Sequence, residues 1–302
     1  ACAMGVFWQQ LAGVGHDLGH SAVTHKFHTD HQLGSMLSAL MGLSVGWWKS
    51  DHNTHHVACN AIEHDPNVQH MPVLAITPRI FHRIRFWSTY HRKWVGMDDV
   101  AHALVSYQHL FFYPLMLLGR YNLYAQGLVY LASQRDKVHY RKTELAGVGV
   151  FFAWVFATAA AMPTWAQSVA WVLLSHAVAG VLHVQIVLSH WAMHTYEGRA
   201  YTCADDEWYI TTLRTTMNID TPPILDWAHL GLQFQIEHHL FPRLPRHNLR
   251  AARELVQKVA RRHFPPHSTE CKRLFPLGHA YHEPGFLRGN LEMWRALKNT
   301  AY

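Results

Sequence analysis

The chain has 302 residues, of which 49% are hydrophobic, 13% are aromatic and only 15% are charged. This composition is more typical of a membrane-associated protein than of an ordinary soluble enzyme. The net charge of +6, with no clustered basic stripe and no nucleic-acid motif, argues against a nucleic-acid partner and favours an anionic membrane surface.

The first twenty residues combine an apolar start with a histidine pair. We expect the first eleven residues to be the end of a membrane helix whose beginning is absent, because the chain starts inside apolar sequence with no signal peptide. His16 and His20 are spaced i and i+4, which places both imidazoles on one helix face. Asp17 lies between them and is predicted to accept an N–H from a metal-binding imidazole.

Residues 33–48 and 105–132 are weaker apolar stretches with aromatic ends, and they predict interfacial or re-entrant helices. The second histidine cluster lies between them. His52, His55 and His56 are spaced i, i+3 and i+4, again on one helix face. Asp51, directly before this cluster, is a second candidate to orient a metal-binding imidazole.

Residues 145–162 and 165–189 carry no Asp, Glu, Lys or Arg, and Pro163 and Thr164 separate them. Each run is close to the roughly 20 helical residues that cross a bilayer, so we predict a transmembrane hairpin at about 145–189. Basic residues flank the pair, from Arg135 to Lys142 before it and from Arg199 onward after it, which places both flanks in the cytosol. All three histidine clusters then lie on the cytosolic side. The alternative is a buried hairpin in a soluble core.

The third cluster, Gln235 to His239, repeats the spacing of the second with Gln235 in the leading place and His238 and His239 behind it. From Leu249 onward, charged helical patterning predicts an amphipathic, solvated cap on the cytosolic side. The four cysteines, Cys2, Cys59, Cys203 and Cys271, form no CxxC pair, so reduced thiols are expected rather than disulfides or a structural zinc site.

Seven histidines on three helical faces are more than one metal ion could use, and they predict two metal ions side by side. Imidazole suits iron, zinc, copper and nickel, but only a redox metal such as iron activates oxygen for attack on an unactivated C–H bond of a lipid chain. The chain has no GxGxxG after a strand, no P-loop and no CxxCH. Electrons are therefore expected from a separate protein or from a domain absent from this chain.

Three segments resemble the histidine boxes of the membrane front-end fatty acid desaturases. They are HDLGH at 16–20, WWKSDHNTHH at 47–56 and LQFQIEHHLFPRLPRHNLR at 232–250, with the Gln that opens the third box in this subfamily. The sequence LRTTMNID at 213–220, with HDP at 64–66 and QHMP at 69–72, is most similar to the Δ8 sphingolipid (long-chain base) desaturases. Acyl-lipid Δ5 and Δ6 desaturases share much of this pattern.

The resemblance implies an all-α fold. It would be an integral membrane helical desaturase whose cytosolic helical cap holds a histidine-rich di-iron site. The whole chain, 1–302, would be one desaturase domain, with the hairpin at 145–189 and a cytosolic part with the third box at 190–302. The resemblance also implies two iron ions, molecular oxygen, electrons from cytochrome b5 and its reductase, and a lipid substrate. The expected location is the endoplasmic reticulum membrane, with the site facing the cytosol.

The resemblance carries eight histidines over as metal ligands: His16, His20, His52, His55, His56, His190, His238 and His239. His190 corresponds to the extra ligand that follows the last membrane helix, with His194 as its competitor. Gln235 is expected to hold a metal-bound water, to ligate directly or only to support the fold. Front-end desaturases usually carry a fused cytochrome b5 domain with a His-Pro-Gly-Gly motif, and this motif is absent from the sequence.

Three alternatives to a Δ8 sphingolipid desaturase stay open at this point. A front-end acyl desaturase that acts on polyunsaturated chains has the same boxes. A lipid hydroxylase has similar boxes too, because one hydrogen abstraction can end in oxygen rebound. A histidine-rich metal transporter or metal-binding protein would need ionisable residues along several membrane helices, whereas here the clusters lie outside the two clear spans.

Overall fold

The structure, a computed structural model, describes residues 1–134, 137–198 and 207–301. Arg135, Arg199 and Cys203 lie outside these ranges. Most of the described chain is helical. The α-helices are α1 (Cys2–Gly19), α2 (Phe27–Met41), α3 (Val45–Ala58), α4 (Pro78–Phe81), α5 (Asp99–Ser106), α6 (Gln108–Leu117), α7 (Gly119–Ser133), α8 (Arg141–Ala160), α9 (Trp165–Leu188), α10 (Trp208–Thr215), α11 (Asp226–His229), α12 (Gln235–Leu240), α13 (Leu249–His263), α14 (Thr269–Leu274) and α15 (Phe286–Asn299).

The chain forms two compact units. The first comprises Ala1–Asp51 and Tyr113–Val184, and the second comprises His52–Phe112 and the described residues from Gln185 onward. Three helices, α3, α6 and α9, continue in sequence from one unit into the other. The prediction of one domain over 1–302 stays a prediction.

In the first unit, α2 packs against α1 and α8. Trp8 and Phe151 are completely buried in its core, with their ring centroids 5.7 Å apart. The helices approach closely where glycine replaces a side chain. A Cβ at Gly180 would lie 2.3 Å from the Leu117 carbonyl oxygen, so no larger residue fits there.

Helices α8 and α9 are the two described helices that are long and apolar enough to cross a membrane. They confirm the predicted pair of long apolar helices with a short turn between them. The stretch at 33–48, predicted as interfacial or re-entrant, divides into α2 and α3 because Gly42 ends α2 with a left-handed φ of 72°. The stretch at 105–132 divides among α5, α6 and α7.

A buried carboxylate fixes the start of α3. Glu144, in the first turn of α8, accepts hydrogen bonds from the Ser44 hydroxyl at 2.5 Å and from the Gly46 backbone N–H at 3.1 Å. It is completely buried. A negative charge at the N-terminus of a helix satisfies otherwise unpaired N–H groups and interacts favourably with the helix dipole.

A buried cation stabilises the C-terminal end of α2. The Arg120 guanidinium donates to the Met41 carbonyl oxygen at 2.7 Å, and it lies over the Trp8 ring with its central carbon 5.1 Å from the ring centroid. The helix dipole and the ring both favour the charge. The nearby His176 ring of α9 stacks on Tyr121 of α7, at 4.7 Å between centroids.

The second unit contains a β-hairpin, so the all-α prediction is correct for most of the chain but not for all of it. Strands β1 (Arg85–Ser88) and β2 (Lys93–Gly96) pair antiparallel, with Trp87 opposite Trp94. In β1 the side chains alternate between exposed and buried, which is the strand period. Phe86 anchors the buried face in a core with Ile80.

Helix α12, which carries the third histidine cluster, packs against α10 and α13. Its residues Ile236 and Leu240 share a buried core with Leu213 of α10 and Val256 of α13. The predicted amphipathic helix after Leu249 is confirmed as α13, with Arg261, Arg262 and His263 in its last turn. This packing fixes the direction in which α12 presents its histidines.

Candidate metal centre

The first histidine pair lies in the first unit, on the last turns of α1. The ring centroids of His16 and His20 are 4.7 Å apart, and the centroid of the Trp48 ring lies 5.3 Å from that of His16 and 5.4 Å from that of His20. The Nδ1 atom of His16 is 3.5 Å from the Asp17 carboxylate. The helix therefore places the two imidazoles side by side, as the i, i+4 spacing predicts.

The other six predicted histidines are brought together in the second unit. Three come from α3, two come from α12, and His190 lies two residues after the end of α9. The His56 and His239 rings stack at 4.1 Å between centroids. The His190 ring lies 4.7 Å from that of His55 and 4.8 Å from that of His239.

Two nitrogen atoms already have the spacing of ligands on a single metal ion. The Nε2 atoms of His52 and His56 are 3.0 Å apart. Two nitrogen ligands with bonds of about 2.1 Å at a right angle would be separated by roughly the same distance. The His238 ring lies 4.7 Å from that of His56, on the same side of the cluster.

A second group lies deeper. His55, Cys59, His190 and His239 are all buried, and one potential ligand atom from each lies within 4.8 Å of the other three. This group and the one around His52 both fit metal binding by imidazole, the commonest nitrogen ligand of iron and zinc in proteins.

Asp65 orients His55. Its carboxylate Oδ2 lies 2.8 Å from His55 Nδ1 and also accepts the Asn60 backbone N–H at 2.8 Å, while its Oδ1 accepts the Asn67 N–H. Asp65 is completely buried. Because the carboxylate accepts a hydrogen bond from the Nδ1–H group of His55, the Nε2 lone pair of His55 is directed to a metal ion.

His190 is oriented in the same way by backbone and side-chain contacts. Its Nδ1 lies 3.3 Å from the Thr215 carbonyl oxygen and 3.3 Å from Cys59 Sγ. A carbonyl oxygen only accepts, so Nδ1 carries the proton and Nε2 carries the lone pair. Asn60 fixes this segment, because its amide donates to the carbonyl oxygens of His190 and His194.

Burial keeps the imidazoles of His190 and His239 neutral. Loss of hydration, together with the neighbouring His55, lowers the pKa of His190 to about 3. Burial, reinforced by the surrounding histidines, lowers the pKa of His239 well below its usual range. The Nε2 atom of His239 is buried and has no hydrogen-bond partner within the described ranges. A buried polar atom without a partner is costly, and a metal ion would satisfy it.

Gln235 lies beside the deeper group. It lines a cavity of about 20 Å³ together with His52, His55, His190 and Trp191. A cavity of this size holds about one water molecule. The Gln235 side chain also opposes part of the fall in the pKa of the His190 imidazole. This position suits the predicted supporting role.

His194, the competitor of His190, has other partners. Its Nε2 lies 3.0 Å from the Arg214 guanidinium, which can only donate, so the lone pair of that nitrogen is already used. Burial and the positive charge of Arg214 lower the pKa of His194 to about 4. The contacts therefore favour His190 as the ligand.

Glu237, inside the third cluster, does not orient a histidine through any contact that we find among the described residues. Its carboxylate accepts hydrogen bonds from the Asn218 amide and the Tyr281 hydroxyl, both at 2.7 Å. Burial raises its pKa to about 7, although these two hydrogen bonds favour the charged form. Asn218 also accepts the Ile236 N–H, so this network ties α12 to the chain before it.

The sequence reasoning missed the residues that hold the ligands. Asp65, Asn60, Cys59 and Thr215 come from loops or helix ends, where no periodic spacing relates them to a histidine. The residue type at position 60 was the one weak signal in the sequence. Asn60 follows the end of α3 with a left-handed φ of 61°, which asparagine adopts more readily than most residues. Asp51, predicted to orient a ligand, lies half-buried in α3.

Comparison with known proteins adds an independent observation. The family described as fatty acid desaturase matches residues 1–270. The chain is 42% identical over 266 residues to a Delta 8-(E)-sphingolipid desaturase of Kluyveromyces lactis, covering 85% of this chain and 45% of that protein. A protein of the same name from Emericella nidulans is 40% identical over 269 residues, covering 86% of this chain and 48% of that protein.

A plant protein matches nearly the whole chain. The acyl-lipid (9-3)-desaturase of Borago officinalis is 36% identical over 301 residues, which cover 99% of this chain and 63% of the plant protein. The chain thus spans about half the length of the sphingolipid desaturases that it matches, and under two thirds of the plant enzyme.

Proposed function

The chain belongs to the fatty acid desaturase family, and from this premise we propose that it introduces a double bond at the Δ8 position of a sphingolipid long-chain base. One observation carries the chemistry: the buried imidazoles of His55, His190 and His239 converge in the second unit. The similarity to Delta 8-(E)-sphingolipid desaturases from two fungi supports the choice of substrate.

We propose that two iron ions are the metal cofactor. The proposed ligands are the six histidines of the second unit, together with His16 and His20, which rest on their spacing and on the family. Bound iron would activate molecular oxygen for removal of hydrogen from an unactivated C–H bond. Gln235 is proposed to support a water or a ligand, and Asp17 and Asp51 to support the ligating imidazoles.

The chain's own residues do three things in this proposal. Asp65 and the Thr215 carbonyl oxygen hold the Nδ1 protons of His55 and His190, so that each presents Nε2. Burial keeps bulk water away from the reacting centre. Packing of α12 against its neighbours fixes His238 and His239, which keeps the geometry when substrate and product exchange.

The reaction balances with an external electron donor. The lipid loses one hydrogen from each of two neighbouring carbons, and oxygen is reduced to water with these hydrogens, two electrons and two protons. We propose cytochrome b5 and its reductase as the electron source. Helices α8 and α9 are proposed to cross the endoplasmic reticulum membrane, with the metal centre on the cytosolic side and the whole chain acting as one domain.

A front-end acyl desaturase is the second candidate, and the similarity to the Borago enzyme favours it. The two candidates differ in which lipid changes. The test is expression of the chain, with cytochrome b5 and its reductase, in a yeast without Δ8 desaturase. Mass spectrometry then profiles the long-chain bases and the fatty acids of the same cells.

A new Δ8 double bond in the long-chain bases supports the proposal, whereas new polyunsaturated acyl chains with unchanged bases would replace it with the acyl candidate. A hydroxylated base without a double bond would indicate a hydroxylase. The variant His55→Ala should give no product. His82→Ala is the matched control, because His82 is an exposed histidine of the same unit and should leave the product unchanged.

A further inference from the structure

The β-hairpin of the second unit exposes a tryptophan pair. We name residues 84–97 the tryptophan hairpin. Trp87 and Trp94 face each other across the two strands, with ring centroids 5.6 Å apart, on the face opposite the buried Phe86. They are 44% and 58% exposed, and Ile84 directly before β1 is 87% exposed. Exposed apolar groups clustered in this way mark a binding surface.

The tryptophan hairpin is also basic. Residues 84–97 contain three basic residues, Arg85, Arg92 and Lys93, and no Asp or Glu, which corrects the expectation that the positive charge is not clustered. Arg83 pairs with Glu63 and Glu197. Within the described ranges, Arg85, Arg92 and Lys93 form no ion pair with a carboxylate. The Arg85 guanidinium instead lies 4.8 Å from the centroid of the Trp94 ring.

This combination identifies the kind of partner. Tryptophan prefers the interface between lipid and water, where its ring is shielded and its N–H stays hydrated. Basic residues beside it are attracted to anionic headgroups, and their aliphatic stems can remain in the apolar layer. We propose that the tryptophan hairpin inserts its exposed face into the interfacial layer of an anionic phospholipid membrane.

The following helix also exposes apolar side chains. Val100 and Leu104 of α5 are 64% and 36% exposed and lie one helical turn apart. Asp98 and Asp99, at the start of α5, are the nearest acidic residues in sequence, and Asp98 is engaged as the helix cap through the Ala101 N–H. The positive charge is therefore concentrated at the turn end of the hairpin, around Arg92 and Lys93. This contact would be additional to any membrane-spanning helix and does not depend on desaturase activity.

The test places a fluorescent label at Ile84→Cys in the full chain. Cys2 and Cys203 are replaced by serine, and Cys59 and Cys271 are buried. The protein is reconstituted in phosphatidylcholine vesicles with or without phosphatidylserine, and nitroxide-bearing lipids quench the label on contact. A matched label at Leu287→Cys, 83% exposed on α15, reports contact elsewhere in the same unit.

We expect stronger quenching at residue 84 than at residue 287, and more with phosphatidylserine than without it. In the labelled protein, Arg85→Gln and Lys93→Gln should each lower the equilibrium constant for contact about fivefold, and added salt should do the same. Trp87→Ser with Trp94→Ser should remove the quenching in both lipid mixtures.

Equal quenching at residues 84 and 287, or none at either, would overturn the proposal. A second result would also overturn it: lipids do not quench the label at residue 84, but the label becomes shielded from an aqueous quencher as the protein concentration rises in detergent. The partner of the hairpin would then be a second copy of the chain. The unchanged circular dichroism spectrum of each variant serves to confirm that the fold is retained.

Discussion

Replacing Asp65 with asparagine should weaken iron binding while leaving the protein folded. The amide oxygen of asparagine can still accept a hydrogen bond where the carboxylate oxygen lies 2.8 Å from His55 Nδ1. The negative charge is lost, however, so His55 becomes a weaker electron donor and its orientation is less strongly fixed. Removal of a group that orients a metal-binding histidine typically lowers metal affinity about 10–100-fold.

The loss of stability in Asp65→Asn should be modest. Hydrogen bonds to a charged acceptor contribute about 1.5–3 kcal/mol, against about 0.5–1.5 kcal/mol for neutral pairs. Asp65 accepts three such bonds, from His55, Asn60 and Asn67, and the amide group can replace only some of them. We expect a fall of a few kcal/mol at most in the free energy of unfolding.

The assay measures iron affinity by competition with a chelator and stability by thermal unfolding of the same preparation. Asp98→Asn is the matched control, because Asp98 also accepts a backbone N–H, at 2.8 Å from Ala101, and it serves only as a helix cap. An Asp65→Asn protein with wild-type iron affinity, or one that loses iron no more than Asp98→Asn, would refute the role of Asp65.

Three further predictions follow from individual contacts. His190→Ala should lose iron, whereas His194→Ala should keep it because His194 Nε2 accepts a hydrogen bond from Arg214. Elemental analysis of the purified chain measures the iron content, and equal loss from both variants would contradict the choice of His190 as ligand. Tyr281→Phe removes a donor from a buried carboxylate, so thermal unfolding should show a loss of about 1–3 kcal/mol with the iron content kept; unchanged stability would contradict this role. Glu144→Ala should destabilise the chain by a similar amount or more, since the Ser44 hydroxyl and the Gly46 N–H lose their hydrogen-bond acceptor. A denaturant titration in detergent measures this loss of stability, and a wild-type midpoint would contradict the proposed capping of α3 by Glu144.

Periodic features of the fold could be predicted from the sequence. A spacing of four residues places His52 and His56 on one helix face, and α3 presents their rings side by side. The long uncharged runs gave the two apolar helices, because few other folds need so many apolar residues in succession. These signals are local, so they do not depend on how distant segments pack.

The contacts that hold the site could not be predicted in this way. Asp65 reaches His55 from a loop, and the Thr215 carbonyl oxygen belongs to the end of a different helix. A carbonyl oxygen has no signature in the sequence at all. The tryptophan hairpin was missed because each strand has four residues, too short for a period of two to stand out among charged and aromatic neighbours.

The most direct test of the proposed metal centre is anaerobic iron titration of the purified chain, followed by Mössbauer spectroscopy. We predict two iron ions per chain with nitrogen ligation, and loss of iron in His55→Ala and His239→Ala but not in His82→Ala. A chain that binds no iron, or one that binds it equally well without His55 and His239, would contradict the proposal that these buried imidazoles hold the catalytic metal.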